Sequence, residues 1–445
     1  MADLDAIFKA YDIRGTVPDQ LDADVCRAIG AAFARFAGTE RVLVARDMRP
    51  SGVELTQAFG DGVTGQGVDV VDLGMASTDL IYFAAGRLEA PGAMFTASHN
   101  PARYNGVKLC LAGAKPVGED TGLQEIKAMV KAGVPAGPGG GAVVQQDLLG
   151  DYATHVRSFA DTSVLRPLKV VADTANGMGG LVAPKVFEGL PFDLEIMYGE
   201  LDGTFPNHPA DPIQPENQKD LQARVLESGA DVGLAFDGDA DRVFLVDEKA
   251  ELLSGSTTTA MVAASMLERE PGATLLHNLI CSKAVPEVVR ERGGVPIRTR
   301  VGHSFIKQVM LDTGAIFGGE HSGHYYFREN YRADSGLIAT MVVLELLSRA
   351  GQPLSEVRKP FERYAQSGEI NVEVADQQGV VKRVADAFQQ AQLDWLDGLT
   401  VDLGDWWFNL RPSNTEPLLR LNLEARTRSE CDQHVAEVLD IMRKN

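Results

Sequence analysis

Three aspartates at alternate positions, Asp237, Asp239 and Asp241, are separated only by Gly238 and Ala240 and followed by Arg242. Like charges this close call for a cation, and small intervening residues let the segment curl around one. Oxygen-only donors suit magnesium or calcium. Counted from Asp237, Glu248 falls on the twelfth position, as in a calcium-binding EF-hand loop. However, Arg242 stands where that loop needs glycine, and the flanking DVGLA and VFLVD read as strands rather than helices. Calcium sensing is therefore disfavoured, and a merely solvated acidic turn suits two apolar flanks poorly.

Three more polar clusters could do chemistry. Thr96-Ala97-Ser98-His99-Asn100-Pro101 precedes Tyr104-Asn105-Gly106-Val107-Lys108. A serine carries a phosphoryl group only where its hydroxyl is activated and charge on the transferring oxygens is neutralised; Asn100 and Lys108 are donors close by. Adjacent side chains of an extended chain point to opposite sides, so Ser98 and His99 are not expected to form a hydrolase pair. Ser98 equally suits a hydroxyl-bonded turn ended by Pro101. Gly319-Glu320-His321-Ser322-Gly323-His324 combines a carboxylate able to accept two sugar hydroxyls, a hydroxyl that donates and accepts, and an imidazole fit for proton traffic. A plain glycine-rich turn is the alternative. Upstream, Gly302-His303-Ser304 opens a helix carrying Lys307, and helix starts attract anions. Finally, Arg411-Pro412-Ser413-Asn414-Thr415-Glu416-Pro417, with Arg420 beyond, sets a guanidinium fork beside hydroxyl, amide and turn N–H donors. That is a phosphate cradle or a polar hairpin turn.

Such clusters need elements to position them. Apolar, β-branched runs at 41–47, 68–74 and 92–98 alternate with helix-like segments, and the plan recurs at 168–174, 194–198 and 231–237, then at 273–279, 295–300 and 314–320. Alternation of this kind reads as βαβ units, and the polar clusters of the three units each follow a strand, where ligands collect in open sheets. The tail differs: strand-like 369–374, 399–403, 406–410 and 418–425 with helical 380–391 and 429–442 read as a small α+β unit. The expected fold is α/β: three consecutive related α/β domains with mixed sheets and a smaller C-terminal α+β domain around a central cleft. Their expected spans are 1–144, 145–247, 248–360 and 361–445. The Gly/Pro-rich segment 132–142 reads as an exposed connector.

The chain of 445 residues has 62 acidic and 42 Lys plus Arg residues, a net charge of −20 that repels polyanions and argues against a nucleic-acid role. Any phosphate must then be held by a local basic patch. The four cysteines, Cys26, Cys110, Cys281 and Cys431, form no CxxC or Cys/His pattern, so a reduced cytoplasmic setting without zinc is expected. No signal-peptide pattern opens the sequence and no run approaches eighteen apolar residues, so no membrane role is expected.

Taken in order, TASHNP with NGVK, DGDADR, GEHSGH and RPSNTEP resemble the α-D-phosphohexomutase superfamily over essentially the whole chain. Tyr11-Asp12-Ile13-Arg14-Gly15, the stretch 172–180 and the stretch 203–217 share that resemblance. It implies that Ser98 is phosphorylated in the active enzyme and that Ser98, Asp237, Asp239 and Asp241 surround Mg2+. It assigns Glu320 and Ser322 to sugar hydroxyls, and Arg411, Ser413, Asn414, Thr415 and Arg420 to the non-transferring phosphate. Tyr11 and His303 would line the substrate, while Arg14, Lys108, Arg242 and His324 would orient groups or move protons. A hexose 1,6-bisphosphate is the implied intermediate and activator, a small phosphosugar the partner, and a monomer or dimer the assembly. GEHSGHYYF is more similar to phosphomannomutases and dual phosphomannomutase/phosphoglucomutases, whereas phosphoglucosamine mutases typically carry glutamine at His321. Ile280 departs from the lysine of some bifunctional members. The implied reaction interconverts mannose 6-phosphate and mannose 1-phosphate, with glucose phosphates as plausible substrates. Its rivals are a phosphoglucomutase, a phosphoglucosamine mutase, a magnesium-dependent sugar phosphatase using Ser98, and a non-catalytic sugar-phosphate sensor.

Overall fold

Runs rich in valine, leucine and alanine form buried central strands, whose pleated surfaces suit branched side chains. The computed structural model describes residues 3–412 and 418–444, apart from the side chain of His303. Within it one four-strand plan occurs three times. In the first unit Arg41–Arg46 lies parallel to Asp69–Met75 on one side and Gly92–Phe95 on the other, and Gly92–Phe95 pairs antiparallel with Tyr104–Leu111. In the second, Leu168–Asp173 lies parallel to Phe192–Met197 and Val232–Phe236, and the latter pairs antiparallel with Val243–Asp247. In the third, Thr274–Asn278 lies parallel to Val295–Thr299 and Phe317–Gly319, and the latter pairs antiparallel with Tyr325–Phe327. Each sheet is therefore mixed, and the Ser98, Asp237 and Glu320 loops are topologically equivalent: each links the third parallel strand of its unit to the antiparallel strand beside it.

The first sheet grows to seven strands with Ile13–Thr16, Lys115–Pro116 and Val143–Gln145. Val143–Gln145 pairs with Asp69–Met75, so this sheet runs through residue 144 and the Gly/Pro-rich segment before it delivers an edge strand. Helices start and stop on local signals: Asp22 caps Ala23–Ala37 through Val25 N–H, and Gly38 ends it in the left-handed region that glycine adopts without cost.

The C-terminal unit is a five-stranded antiparallel sheet in the order Ala365–Glu373, Leu418–Ala425, Trp407–Pro412, Leu399–Asp402, Gln392–Asp394, with helices Gln377–Ala387 and Arg428–Arg443. The short strand Gln392–Asp394 has too few apolar residues to be visible in the sequence. One continuous apolar cluster, running from Leu43 through Phe236 and Phe317 to Phe361, joins the first three units; Phe408, Leu421 and Val384 belong to a separate core in the fourth. All four cysteines are buried and unpaired. Among the described residues, no single helix is long and apolar enough to cross a membrane.

Candidate active site

Ser98 sits in the left-handed region at φ +50, which costs a non-glycine residue about 1–3 kcal/mol. Its N–H donates to Thr96 Oγ1 at 2.9 Å, and its hydroxyl donates to Asp237 Oδ2 at 2.8 Å, joining the first unit to the second. The turn also brings Ser98 Oγ to 3.2 Å from His99 Nδ1, so the extended-chain expectation that these side chains diverge is wrong. A left-handed residue breaks the two-sided alternation on which it rested. Burial and the nearby Arg242 and Arg14 guanidinium groups push His99 well below the usual imidazole range, leaving it neutral.

Gly238 allows the two loops to meet, since a Cβ there would fall 2.5 Å from the Ser98 carbonyl oxygen. Asp237, Asp239 and Asp241 are all buried, and one carboxylate oxygen from each lies within 4.8 Å of the others. Asp237 Oδ2 also accepts from Arg242 Nε at 2.8 Å, while Lys108 Nζ donates to Asp239 Oδ2 at 2.8 Å and Asp241 Oδ2 at 2.9 Å. Burial and the repulsion of its two neighbours raise Asp237 despite Arg242. Asp239 is opposed by burial, yet Lys108 and the Thr78 hydroxyl hold it below the usual carboxylate range. Lys108, penalised by burial, is held well above its ordinary value by those two carboxylates. Asp239 Oδ1 and Asp241 Oδ1 are buried without a hydrogen-bond partner. Buried carboxylate oxygens left this way are costly unless something binds them, so the donor set fits a hard divalent cation.

In the third unit Glu320 is almost fully buried and already engaged: Oε1 accepts from Gly302 N–H at 3.1 Å and Asn278 Nδ2 at 3.4 Å, and Oε2 from Tyr326 OH at 3.1 Å and Ser322 Oγ at 3.4 Å. The anion at the start of the helix His303–Thr313 is thus Glu320 itself. Lys307 turns inward, 3.1 Å from Asp334 Oδ1 and 3.6 Å above the Tyr82 ring. Asp334 Oδ2 holds His324 Nδ1 at 2.9 Å, and Asp241 Oδ1 lies 3.8 Å from the same nitrogen. Burial lowers His324, but Asp241 and Asp334 outweigh it and raise the imidazole to about 8. His321 is kept neutral by burial, near 4, with Nδ1 3.0 Å from Ser256 Oγ. Ile280 is buried.

Arg14 donates to Asn100 Oδ1 and Asp12 Oδ2, both at 2.5 Å, and Tyr11 OH donates to Val301 O at 3.1 Å across to the third unit. In the fourth unit Arg411 and Arg420 stand directly opposite each other on adjacent strands. Like charges in that register repel, and among the described residues their nearest acids are Asp397 at 3.5 Å from Arg411 and Glu369 at 3.8 Å from Arg420. Asp397 also accepts from Val301 N–H at 3.2 Å, linking this pair to Tyr11. Ser413, Asn414 and Thr415 lie outside the described residues, as does the His303 side chain.

The structure therefore joins Ser98, Lys108, Asp237, Asp239, Asp241, Arg242 and His324 through direct contacts, with Arg14 bonded to Asn100 on the Ser98 loop. Sequence reading missed several supports. Thr78 bonds Asp239 twice, through its hydroxyl at 2.6 Å and its N–H at 3.1 Å to the carbonyl. Buried Asp79 next to it accepts from Ser77, Tyr152 and Ser335, one or more from each of the three α/β units. Asp47 and Arg49 pack under the Ser98 loop. The polar Asp47-Met48-Arg49 follows the strand Arg41–Arg46, the same signal that marked the other loops; Thr78, Asp79 and Asp334 had none.

Four family models describing phosphoglucomutase/phosphomannomutase match the chain: alpha/beta/alpha domain I at residues 5–135, domain II at 150–251, domain III at 254–364 and the C-terminal domain at 369–441. A protein of Xanthomonas campestris pv. campestris called phosphohexose mutases is 40% identical over 424 residues, covering 94% of this chain and 95% of that one. The phosphomannomutase of Salmonella montevideo is 39% identical over 431 residues, 94% of each. The crystal structure of a phosphoglucomutase/phosphomannomutase family protein from Burkholderia thailandensis superposes with a TM-score of 0.90 at 34% identity, covering 100% of this chain and 98% of that one. With all four domains matched in order around the geometry just described, the chain belongs to the phosphoglucomutase/phosphomannomutase family and is a phosphohexomutase.

Proposed function

We propose that this phosphohexomutase interconverts mannose 6-phosphate and mannose 1-phosphate by way of phospho-Ser98 and a hexose 1,6-bisphosphate, and that it also accepts glucose phosphates. The observation that carries the reading is the 2.8 Å contact of Ser98 Oγ with Asp237 inside a buried three-carboxylate cluster. Asp237, Asp239 and Asp241 would hold Mg2+, which withdraws charge from the transferring phosphoryl oxygens when bound. Arg242 and Lys108 supply fixed positive charge beside the same oxygens. The sugar hydroxyl attacks phosphorus, the bond to Ser98 Oγ breaks, and the proton given up by the sugar hydroxyl is balanced by one taken up at the departing Oγ. Asp334 occupies His324 Nδ1 and, with Asp241, keeps the ring protonated at neutral pH, so Nε2 is the nitrogen that can donate a proton to Oγ and recover one from the sugar hydroxyl. The bisphosphate then turns end over end and returns its other phosphate to Ser98.

Throughout, Arg411 and Arg420 grip whichever phosphate is not reacting; an anion between them relieves their mutual repulsion. Glu320 and Ser322 recognise O3 and O4, which mannose and glucose share, so the strongest sugar contacts do not separate the C2 epimers. The Xanthomonas relative's plural name and the family's double name favour this breadth. His321, held to Ser256 Oγ, stands where phosphoglucosamine mutases typically carry glutamine, which supports hexoses over glucosamine. The test is kcat/KM on the 1-phosphates of mannose, glucose and glucosamine. Mannose and glucose within about a hundredfold of each other and both far above glucosamine is the expected order; a glucosamine preference contradicts it.

A further inference from the structure

Arg49 follows the strand Arg41–Arg46 and is wholly buried. Nη1 donates to the carbonyl oxygens of Pro101 and Tyr104, both at 2.9 Å, and Nη2 to those of Ser98 at 2.8 Å and Asn100 at 2.7 Å. Nε donates to Asp47 Oδ2 at 3.1 Å, and the Arg49 backbone N–H to Asp47 Oδ1 at 2.9 Å. All five guanidinium donors are thus used, four of them on the loop that carries Ser98. From the second unit, Phe205 covers the guanidinium with its ring 5.1 Å away, and Gly203 abuts the Arg49 backbone so closely that a Cβ would fall 2.6 Å from Arg49 Cα.

Burying a guanidinium is costly, and an ordinary turn satisfies its carbonyls without one. Asp47 balances the charge, so the pair contributes geometry rather than field. We propose that Arg49 is a positioning residue for phosphoryl transfer: by gathering four carbonyls onto one planar fork it holds Ser98 in its left-handed turn with the hydroxyl on line for transfer. Phe205 then ties that setting to the unit bearing the aspartates. Lysine carries the same charge but no fork, so it cannot reproduce the four bonds.

This rests on Ser98 being the phosphoryl carrier, so Ser98→Ala is measured alongside. Arg49→Lys, Arg49→Met and Phe205→Leu are compared for melting temperature, kcat, KM, and the rate at which hexose 1,6-bisphosphate phosphorylates Ser98 by intact mass. Both Arg49 variants are expected to lose about a hundredfold in kcat and in Ser98 phosphorylation, with KM within about twofold of wild type, since misplacement of about an ångström has that effect. Phe205→Leu is expected to lose several-fold. A folded Arg49→Lys with near-wild-type kcat beside an inactive Ser98→Ala overturns the positioning role alone. Should both Arg49 variants fail to fold, an unchanged phosphorylation rate in Phe205→Leu overturns it. Turnover by Ser98→Ala removes the carrier, and this role with it.

Discussion

The junction of the first two units and the strand pair of the C-terminal unit both gather charged side chains, in opposite ways. At the junction, Ser98, Lys108, Arg242 and three aspartates are buried and bonded at 2.8–2.9 Å, with the loops pressed together at Gly238. On the C-terminal sheet, Arg411 and Arg420 face each other with, among the described residues, acids no nearer than 3.5 Å and a core of their own beneath them. A centre that performs one transfer benefits from being fixed in advance, because donors already in place need not reorganise. A grip that must accept either phosphate of a turning bisphosphate benefits from loose partners.

Substitutions can break or sharpen that contrast. Ser98→Ala removes the carrier from a loop otherwise held by Arg49, so turnover should fall at least about a thousandfold while the chain stays folded, by steady-state rate and circular dichroism. Near-normal activity would falsify the serine relay. Asp239→Asn deletes one ligand charge and one Lys108 partner; kcat should fall about a hundredfold and half-activation should need more magnesium. An unchanged magnesium dependence would reduce the cluster to an acidic turn.

Arg411→Ala should lose roughly ten- to a hundredfold in kcat/KM, in line with a charge-assisted bond of about 1.5–3 kcal/mol. Bisphosphate should escape into solution, and turnover should come to depend on adding it. Wild-type KM and retention would place the phosphate grip elsewhere.

The smallest effect concerns stability. Burial raises Asp79 to about 7, its three hydroxyl donors only partly offsetting that. An unfolded aspartate ionises near 3.9, so between about pH 4 and 7 the folded chain holds a proton the unfolded chain lacks, and stability falls as pH rises through that window. Asp79→Asn should flatten this decline in melting temperature. Identical slopes would show that Asp79 does not titrate there.

The contrast also explains what the sequence reveals. Loops following apolar strands were readable because periodicity marks strands and a burst of Asp, Ser or Glu marks their ends. Their topological equivalence was not, since it depends on which strand turns antiparallel. Ser98 stood out in its motif, but the left-handed turn that brings it to His99 did not; its carbonyl is held by Arg49, 49 positions earlier. Lys108 was read as a donor close to Ser98, and it spans Asp239 and Asp241, which lie over a hundred residues away. Asp334 and Asp79 stand in no motif; Asp334 meets His324 because the chain doubles back within the third unit, and only packing of three units gives Asp79 the Tyr152 and Ser335 hydroxyls.

The most direct measurement follows the phosphoryl group itself. Dephosphorylated protein is mixed with one equivalent of mannose 1,6-bisphosphate, then with excess mannose 6-phosphate, and the modified site is mapped by peptide mass at each stage. The expected result is one phosphoryl group on Ser98 after the first addition, with mannose monophosphate released, and its transfer to sugar rather than water after the second. Phosphate on another residue, on none, or released as inorganic phosphate at the second stage would contradict transfer through Ser98.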